Sequence, residues 1–356
     1  MSAYRHLSHC PVLSLTTWAL TGFPGPLGKY AVMTSSSDGQ GKESPMQKVA
    51  IVGSGLIGQA WAMIFARAGW SVALTDPAPG AVAAALAPCR SGLEMLASHG
   101  LCDDAAAAHQ RIAPAASLAD AVSGATFVQE NGPERLEAKQ EIFAELDQQA
   151  APDVILASST SAIQCSLFTK DLAGRARCLV AHPVNPPHLV PIVELSGAPW
   201  TAPETIARAR TIFEGIGQVP ITVLKEIEGF ILNRLQTALL GEAFKLVEEG
   251  YVSPQDLDKT VQDGLGLRWS FIGPFQTIEL NAPGGIADYC ARYSPFFRRF
   301  AAEPAPVSVW DEANTARAVE AWGGTPSREE IARKSRWRDA RLAALVAHKK
   351  SQPPAE

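Results

Sequence analysis

The sequence lacks the features of disulfide-bonded or zinc-binding proteins, of membrane proteins and of nucleic-acid-binding proteins. Its six cysteines include no C-x-x-C pair, which predicts free thiols in a reducing compartment, the cytoplasm, and neither disulfides nor a zinc or other metal site. No apolar run approaches the roughly 18 residues that a membrane-spanning helix needs. The net charge is -5 and no long basic run precedes the C-terminal helix, which argues against a nucleic-acid partner. We therefore expect no membrane, nucleic-acid or metal partner.

Acidic residues are also missing from the N-terminus, where none precedes Asp38. Residues 1–46 mix serine, threonine, glycine and proline, and the prolines interrupt any amphipathic helix of a targeting peptide. A disordered extension, or a start of translation at Met33 or Met46, is favoured over a targeting peptide. The chain as a whole is 47% hydrophobic, which is ample for a large core.

A β-α-β unit is predicted between residues 48 and 76. The apolar run over residues 49–52 is followed by the pattern G-x-G-x-x-G, by apolar residues at helical spacing and by a second strand over residues 71–75. In this pattern Gly53 permits a tight turn, Gly55 lets the backbone approach a pyrophosphate, and Gly58 allows the helix to pack closely on the strand. The N-terminus of the helix then meets the phosphates with its unpaired N–H groups and its positive dipole end.

The residue at the tip of the second strand indicates which dinucleotide binds. Asp76 follows the glycines at about the ~20-residue distance at which a carboxylate meets a ribose 2′-hydroxyl. A carboxylate at this point repels the 2′-phosphate of NADP, and no arginine follows it before Arg90. The cofactor predicted from the sequence is therefore NAD.

Strands alternate with helices as far as residue 225. Residues 77–110 are helix-forming, and the next helix, over residues 134–148, is expected to begin at Pro133 with Glu134 in its first turn. A further helix is expected over residues 203–215, and the later strands at residues 125–129, 154–157, 178–181, 192–195 and 218–224. This alternation predicts the α/β class, with a Rossmann-type, doubly wound, mostly parallel sheet over residues 47–225.

Beyond Glu228 the strand signal ends, which predicts an all-helical C-terminal domain over residues 226–356. A long helix over residues 229–249 is expected to stop at Gly250, and Ser253 is expected to cap another helix that ends at Gly264. Further helices are expected at residues 272–280, 284–293, 310–322 and 327–349. The basic residues of the last helix read as a solvated face.

Polar side chains occur where the strands of the predicted sheet end. His182 ends one strand, and Glu194 lies within the apolar segment IVEL, where a buried carboxylate is costly unless it is paired. Pairing the two would satisfy both groups. A histidine held by a carboxylate is a base of fixed tautomer, able to take a hydroxyl proton while hydride leaves the adjacent carbon for a nicotinamide.

Other polar residues near these strand ends have two interpretations each. The serines of SSTS, residues 158–161, form either a simple turn or a hydroxyl group that holds the substrate oxygen. Asn233 is a poor helix former within FILNRL, so we expect it to find a partner in the crevice. Glu134 and Lys139 read, on their local sequence, as solvated helix residues.

Several long segments resemble one family. The segments GSGLIG, SSTS, VAHPVNPP, KEIEGFILNRL, VEEGYVSPQDLD and GLGLRWSFIGPF resemble the 3-hydroxyacyl-CoA dehydrogenase family over residues 48–293, and more loosely to the C-terminus. Within that family, LNAPGGIADYCARY resembles the lambda-crystallin branch.

The resemblance implies a role for individual residues. His182 would be the general base and Glu194 its orienting carboxylate, with Ser161 and Asn233 polarising the substrate. The NAD contacts that the resemblance implies are Leu56, Ile57, Asp76, Glu134, Lys139 and Asn185, the last beside the nicotinamide. It also implies a homodimer formed mainly through the helical domain.

The substrate is inferred from a departure within the resemblance. Acyl-CoA enzymes of the family resemble one another in carrying lysines that meet the CoA phosphates, in the region that follows the position of Asp76. Residues 77–110 contain no lysine, although an anionic phosphate favours cations nearby. We therefore expect a small hydroxy acid as substrate, L-gulonate oxidised to 3-dehydro-L-gulonate, with Arg234 or Arg268 receiving its carboxylate.

Two alternatives to this function remain open. One keeps the chemistry and changes the substrate to a short-chain 3-hydroxyacyl-CoA or to carnitine. The other is a non-catalytic, crystallin-like structural protein, against which the joint presence of Ser161, His182, Glu194 and Asn233 argues.

Overall fold

The computed structural model describes residues 47–353. The extension predicted for residues 1–46, with the two alternative start sites, lies outside the described residues. Between residues 47 and 353 no helix is both long enough and apolar enough to cross a membrane. The five cysteines in the same range are free thiols, of which Cys290 alone is exposed.

Residues 48–223 form one eight-stranded sheet, in the spatial order β3-β2-β1-β4-β5-β6-β7-β8. Only the pair β6 and β7 is antiparallel, so the predicted doubly wound, mostly parallel sheet is confirmed. In chain order the strands are β1 (Lys48–Val52), β2 (Ser71–Thr75), β3 (Ile112–Pro114), β4 (Phe127–Glu130), β5 (Ile155–Ser158), β6 (Cys178–Pro183), β7 (Ile192–Gly197) and β8 (Val219–Val223).

Helices cover both faces of this sheet. They are α1 (Leu56–Arg67), α2 (Ala81–Ser98), α3 (Ala105–Gln110), α4 (Leu118–Val122), α5 (Leu136–Gln149), α6 (Cys165–Thr169) and α7 (Pro203–Gly215). Side chains alternate along each strand, so Val49 and Ile51 join one apolar core while Ala50 and Val52 join the other. Burial on both faces explains why the strands read as continuous apolar runs.

The remainder of the described chain is helical. Its elements are α8 (Leu232–Glu248), α9 (Pro254–Lys259), a π-helical segment (Thr260–Leu265), α10 (Gly266–Trp269), α11 (Pro274–Glu279), α12 (Gly285–Ala301), α13 (Glu312–Ala321) and α14 (Arg328–Ser351). Gly250 follows α8 with a φ of 77°, as expected of a glycine that ends a helix.

Four local predictions were wrong. The helix after Pro133 begins at Leu136, so Glu134 precedes it and is free to contact another loop. The helix capped by Ser253 does not end at Gly264, because the chain continues through the π-helical segment into α10. The helix expected over residues 284–293 extends to Ala301. The fourth error is that β3 and α4 were not predicted, because elements of three and five residues are too short to show a period.

Candidate functional site

The crevice for a dinucleotide opens where the strand order reverses, between β1 and β4. Gly53 there has a φ of 95°, a conformation that favours glycine. A Cβ on Gly58 would collide with the carbonyl oxygen of Gly53, whereas a Cβ on Gly55 would meet no atom within 4 Å. The first and third glycines therefore close the turn, and the second leaves room at the N-terminus of α1 for a pyrophosphate.

Asp76 lies beside this turn, as the sequence predicts. Its Oδ2 accepts hydrogen bonds from the backbone N–H of Ser54, at 2.7 Å, and from the Ser54 hydroxyl, at 2.9 Å, while Oδ1 accepts from the N–H of Ala78. Partial burial acts to raise the pKa of Asp76, but these hydrogen bonds outweigh it and hold the pKa below its ordinary value. A carboxylate fixed here fits a ribose diol and repels a 2′-phosphate, so the residues present fit NAD.

Leu56 and Ile57 occupy the first turn of α1, where no side chain of the described residues caps the helix. Leu56 is 78% exposed, and Ile57 lines the cavity described below. Both positions lie where the resemblance places NAD contacts, and their contact with the cofactor stays a prediction. Ser54, which positions Asp76, was missed because a serine within a glycine turn carries no sequence signal of its own.

A histidine and a glutamate face each other across the antiparallel pair β6 and β7. His182 and Glu194 are register partners, and His182 Nδ1 lies 2.7 Å from Glu194 Oε2. Both side chains are buried. The predicted pairing is therefore present, and the two residues form what we call the dyad.

Glu194 also caps a helix of the C-terminal region. Its Oε1 accepts hydrogen bonds from the backbone N–H groups of Ile231, at 2.8 Å, and Leu232, at 3.0 Å, where α8 begins. Burial acts to raise the pKa of Glu194, but the hydrogen bonds from His182, Leu232 and Ile231 outweigh it and lower that pKa. An ionised Glu194 only accepts, so His182 Nδ1 carries the proton and Nε2 is the nitrogen left for a substrate.

A cavity of about 300 Å³ opens beside His182. Its polar lining residues are Ser159, Ser161, His182, Asn185, Asn233 and Gln236, and its apolar ones are Ile57, Pro183, Val184 and Leu232. Among the residues that the structure describes, no aspartate, glutamate, lysine or arginine lines this cavity. It therefore brings together residues predicted for catalysis and for NAD contact, in a lining of polar and apolar side chains.

Ser161 and Asn233 meet at the rim of this cavity. The side-chain amide of Asn233 donates to the carbonyl oxygen of Ser161, at 2.7 Å, so α8 and the loop after β5 are joined there. The Ser161 side chain is exposed. This arrangement leaves the Ser161 hydroxyl and the second N–H of the Asn233 amide as donors for a ligand, and their catalytic roles stay predictions.

Glu134 organises the loop that carries Ser161. Its Oε1 accepts from the Thr160 hydroxyl at 2.6 Å and from the N–H groups of Ser161 at 2.8 Å and Ala162 at 3.1 Å. Glu134 is exposed, as its local sequence suggests, but it lies before α5 and not within a helix, and it binds the loop. Its contact with NAD stays a prediction.

Lys139 lies beneath the same loop in a buried ion pair. Its ammonium donates to both oxygens of Glu130, at 2.8 and 3.0 Å, and to the Gly132 carbonyl oxygen, and only 1% of the residue is exposed. Glu130 also accepts from Ser158, at 2.6 Å. The interpretation of Lys139 as a solvated residue was wrong. Its predicted contact with NAD would need its ammonium group, which is already bound to Glu130 and Gly132.

Ser159 and Gln236 also line the cavity, although neither was singled out as a site residue from the sequence. The Ser159 hydroxyl accepts from Trp61 Nε1 and Gln129 Nε2 and donates to Asn131 Oδ1, so its hydrogen-bonding capacity is used within the protein. Gln236 lies one turn of α8 beyond Asn233, at the spacing that places both on one helix face. That spacing is the signal that would have found Gln236.

The two arginines proposed for the substrate carboxylate differ in position. Arg234 lines a second cavity, of about 400 Å³, which shares Asn233 with the first. Both arginines are exposed, but Arg268, in α10, lines neither of these two cavities. Arg234 is therefore the better placed of the two.

Comparison with known proteins identifies the family. Residues 48–227 match the family model of the 3-hydroxyacyl-CoA dehydrogenase NAD binding domain, and residues 229–320 match that of the 3-hydroxyacyl-CoA dehydrogenase C-terminal domain. The chain is 44% identical over 310 residues to a lambda-crystallin homolog from Bos taurus, which covers 86% of this chain and 96% of the relative.

Two further proteins are similar over most of their length. L-carnitine dehydrogenase from Pseudomonas aeruginosa is 38% identical over 299 residues, covering 83% of this chain and 92% of the relative. The solved structure of 5-formyl-3-hydroxy-2-methylpyridine 4-carboxylic acid 5-dehydrogenase, an NAD+ dependent dismutase, superposes with a TM-score of 0.76 at 28% identity, covering 86% of this chain and 100% of that one. The chain therefore belongs to the 3-hydroxyacyl-CoA dehydrogenase family and is an NAD-dependent oxidoreductase that acts on CH–OH groups.

Proposed function

We propose that this enzyme oxidises the 3-hydroxyl of a small hydroxy acid, L-gulonate, to give 3-dehydro-L-gulonate. The observation that carries the proposal is the cavity beside His182, whose lining includes six polar residues and no aspartate, glutamate, lysine or arginine among the described residues. A polyhydroxy acid offers several hydroxyl groups that these polar side chains can bind, whereas an acyl chain offers them few hydrogen-bonding groups.

The dyad is the base in this proposal. His182 Nε2 takes the proton of the 3-hydroxyl while hydride leaves C3, and bound NAD supplies the hydride acceptor. Glu194 stabilises the imidazolium that results and fixes the tautomer through the 2.7 Å hydrogen bond. The Ser161 hydroxyl and the Asn233 side chain hold the substrate oxygen as it becomes a carbonyl.

Arg234 receives the carboxylate in this proposal. Its cavity, which Glu228 also lines, adjoins that of the dyad through Asn233, and we expect one small acid to occupy both. Hydrogen bonds to charged groups contribute about 1.5–3 kcal/mol, so Arg234→Met should raise the KM for the acid about tenfold or more. Arg268→Met is the matched control, and an unchanged KM in Arg234→Met would exclude that residue.

Two of the relatives support a small acid as the substrate. Two of the similar proteins are named for carnitine and for a pyridine carboxylic acid, neither of which is a CoA thioester. The helices after Asp76, α2 and α3, fall within a stretch that has no lysine to meet CoA phosphates. Carnitine is the second candidate, although the cavity beside His182 has no tryptophan, tyrosine or phenylalanine among its described lining to receive a quaternary ammonium.

One assay separates these substrates. NADH formation should be followed with L-gulonate, L-carnitine and 3-hydroxybutyryl-CoA in parallel. We expect the highest kcat/KM with L-gulonate. Turnover of the CoA ester alone would overturn the proposal, and turnover of carnitine alone would establish the second candidate.

We also propose a cytoplasmic homodimer, with residues 226–356 as the domain that forms it. Large apolar side chains are exposed on the helices of that region, among them Leu235 on α8, Phe275 on α11 and Phe300 on α12, which are 66%, 74% and 59% exposed. Apolar surface of this kind marks protein interfaces. Light scattering after gel filtration should give twice the mass of the chain, and a monomer would refute the dimer.

A further inference from the structure

One residue beside the dyad has an unusual backbone conformation. Phe230 has a φ of 49° and is the single non-glycine residue between residues 47 and 353 with a positive φ. For a bulky side chain this is a strained conformation that persists only where the surroundings enforce it. Gly229, immediately before it, has a φ of 73°, so two consecutive left-handed residues connect the sheet to α8.

The side chain of Phe230 contacts one member of the dyad. Its ring is fully buried, at 0% exposure, and its centroid lies 5.4 Å from that of the His182 imidazole. This separation is within the range of direct aromatic packing. The ring therefore forms part of the wall that fixes the orientation of the imidazole.

The backbone after Phe230 contacts the other member of the dyad. The next two N–H groups, those of Ile231 and Leu232, both donate to Glu194 Oε1. Phe230 itself closes a turn by donating its N–H to the Ile227 carbonyl oxygen, at 3.2 Å. The left-handed turn thus aims the start of α8 at the carboxylate.

We infer that Phe230 is a positioning residue for the dyad. Its ring holds His182, and its strained backbone directs the amide groups that hold Glu194, so one residue sets the geometry of both groups. A glycine would adopt the same φ without strain, but it would remove the ring. A phenylalanine at this strained position is explained if the dyad needs the ring, which holds His182, in addition to the turn, which directs the amides to Glu194.

The inference is tested by comparing two phenylalanines of one apolar core. Phe143 belongs to the same cluster as Phe230 and is also 0% exposed, but it packs on Phe168 and not on His182. Phe230→Leu should lower kcat about tenfold or more, with the KM for NAD changed less than about twofold. Phe143→Leu should lower the Tm to a similar degree and keep kcat.

Two additional measurements separate positioning from simple stability. Phe230→Gly relieves the strain and should still lose kcat, because the ring is absent. The kcat/KM pH profile has an inflection that reports ionisation of the dyad. We expect the pH of this inflection to shift in the Phe230 variants and to be unchanged in Phe143→Leu. If the leucine variant does not fold, Phe230→Met takes its place. Equal kcat in the Phe230 and Phe143 variants, with unmoved pH profiles, would overturn the inference.

Discussion

Glu194 shows how much of this site depends on one side chain. One of its oxygens meets His182 and the other meets the first two N–H groups at the start of α8. The strand β7 supplies the carboxylate, so it serves as the N-terminal cap that α8 does not have within its own sequence. Orientation of the base and attachment of the helix therefore rest on the same group.

This double contact predicts a pH dependence of stability. The pKa of Glu194 is lowered from its ordinary value of 4.5 in the folded protein, so the folded state favours the ionised form. The stabilisation is complete above pH 4.5 and is lost as the pH falls through the lowered pKa. The Tm difference between the wild type and Glu194→Gln should therefore shrink in that acid range, as measured by calorimetry. A difference that stays constant from neutral to acid pH would contradict it.

At the scale of single elements, the β1-α1-β2 unit could be predicted almost completely from the sequence. Its glycine spacing, its apolar runs and the position of Asp76 are all local signals, and both strands lie where predicted. The pairing of His182 with Glu194 was predictable for another reason, since a carboxylate in a buried strand needs a partner.

Other parts of the site could not be predicted because their partners are distant in sequence. Glu134 binds the backbone of residues 161 and 162, and nothing in its own segment indicates this. Lys139 is buried by its ion pair with Glu130, although a lysine on a helix is usually exposed. The π-helical segment was not predicted because Gly264 was expected to end the helix. Gly264 does not have a positive φ, and the helix continues through it.

The glycine turn gives a matched pair of variants. Gly58→Ala would place its Cβ against the Gly53 carbonyl oxygen, so we expect a loss of about 1–3 kcal/mol or more in stability. Gly55→Ala meets no protein atom and has a φ of -65°, so its Tm should stay close to that of the wild type.

The same pair separates folding from cofactor binding. In Gly55→Ala the methyl group occupies the space through which the pyrophosphate approaches, so the Kd for NAD should rise about tenfold, which is 1.4 kcal/mol. Titration calorimetry measures this. Gly55→Ala with the wild-type Kd would show that the phosphates do not approach at this glycine.

At the scale of the whole molecule, the last helix returns to the first part of the chain. Ala343 of α14 is 0% exposed and belongs to the core cluster that contains Val49, Trp61 and Phe65, and Leu342 and Val346 pack against it. The α14 sequence is rich in charged residues, so its apolar contacts are few and its pattern predicts only a solvated face. This helix lies beyond the residues that the family models match.

Two neighbouring alanines test this packing. Ala343→Asp buries a charge in the core, so we expect a loss of about 3–5 kcal/mol in the free energy of unfolding. Ala344→Asp, at an exposed position of the same helix, should cost only the helix propensity of aspartate, about 0.7 kcal/mol. Urea unfolding measures both. Equal losses would mean that α14 does not pack on the sheet domain in solution.

We propose that His182 is the base of this NAD-dependent dehydrogenase. The most direct measurement is kcat for NADH formation from L-gulonate by the wild type and by His182→Ala, together with the Kd of each for NAD. We expect kcat to fall by about 10²–10⁴, the range for loss of a general base, while the Kd changes little because His182 lies outside the glycine turn. Full activity in His182→Ala would contradict the claim.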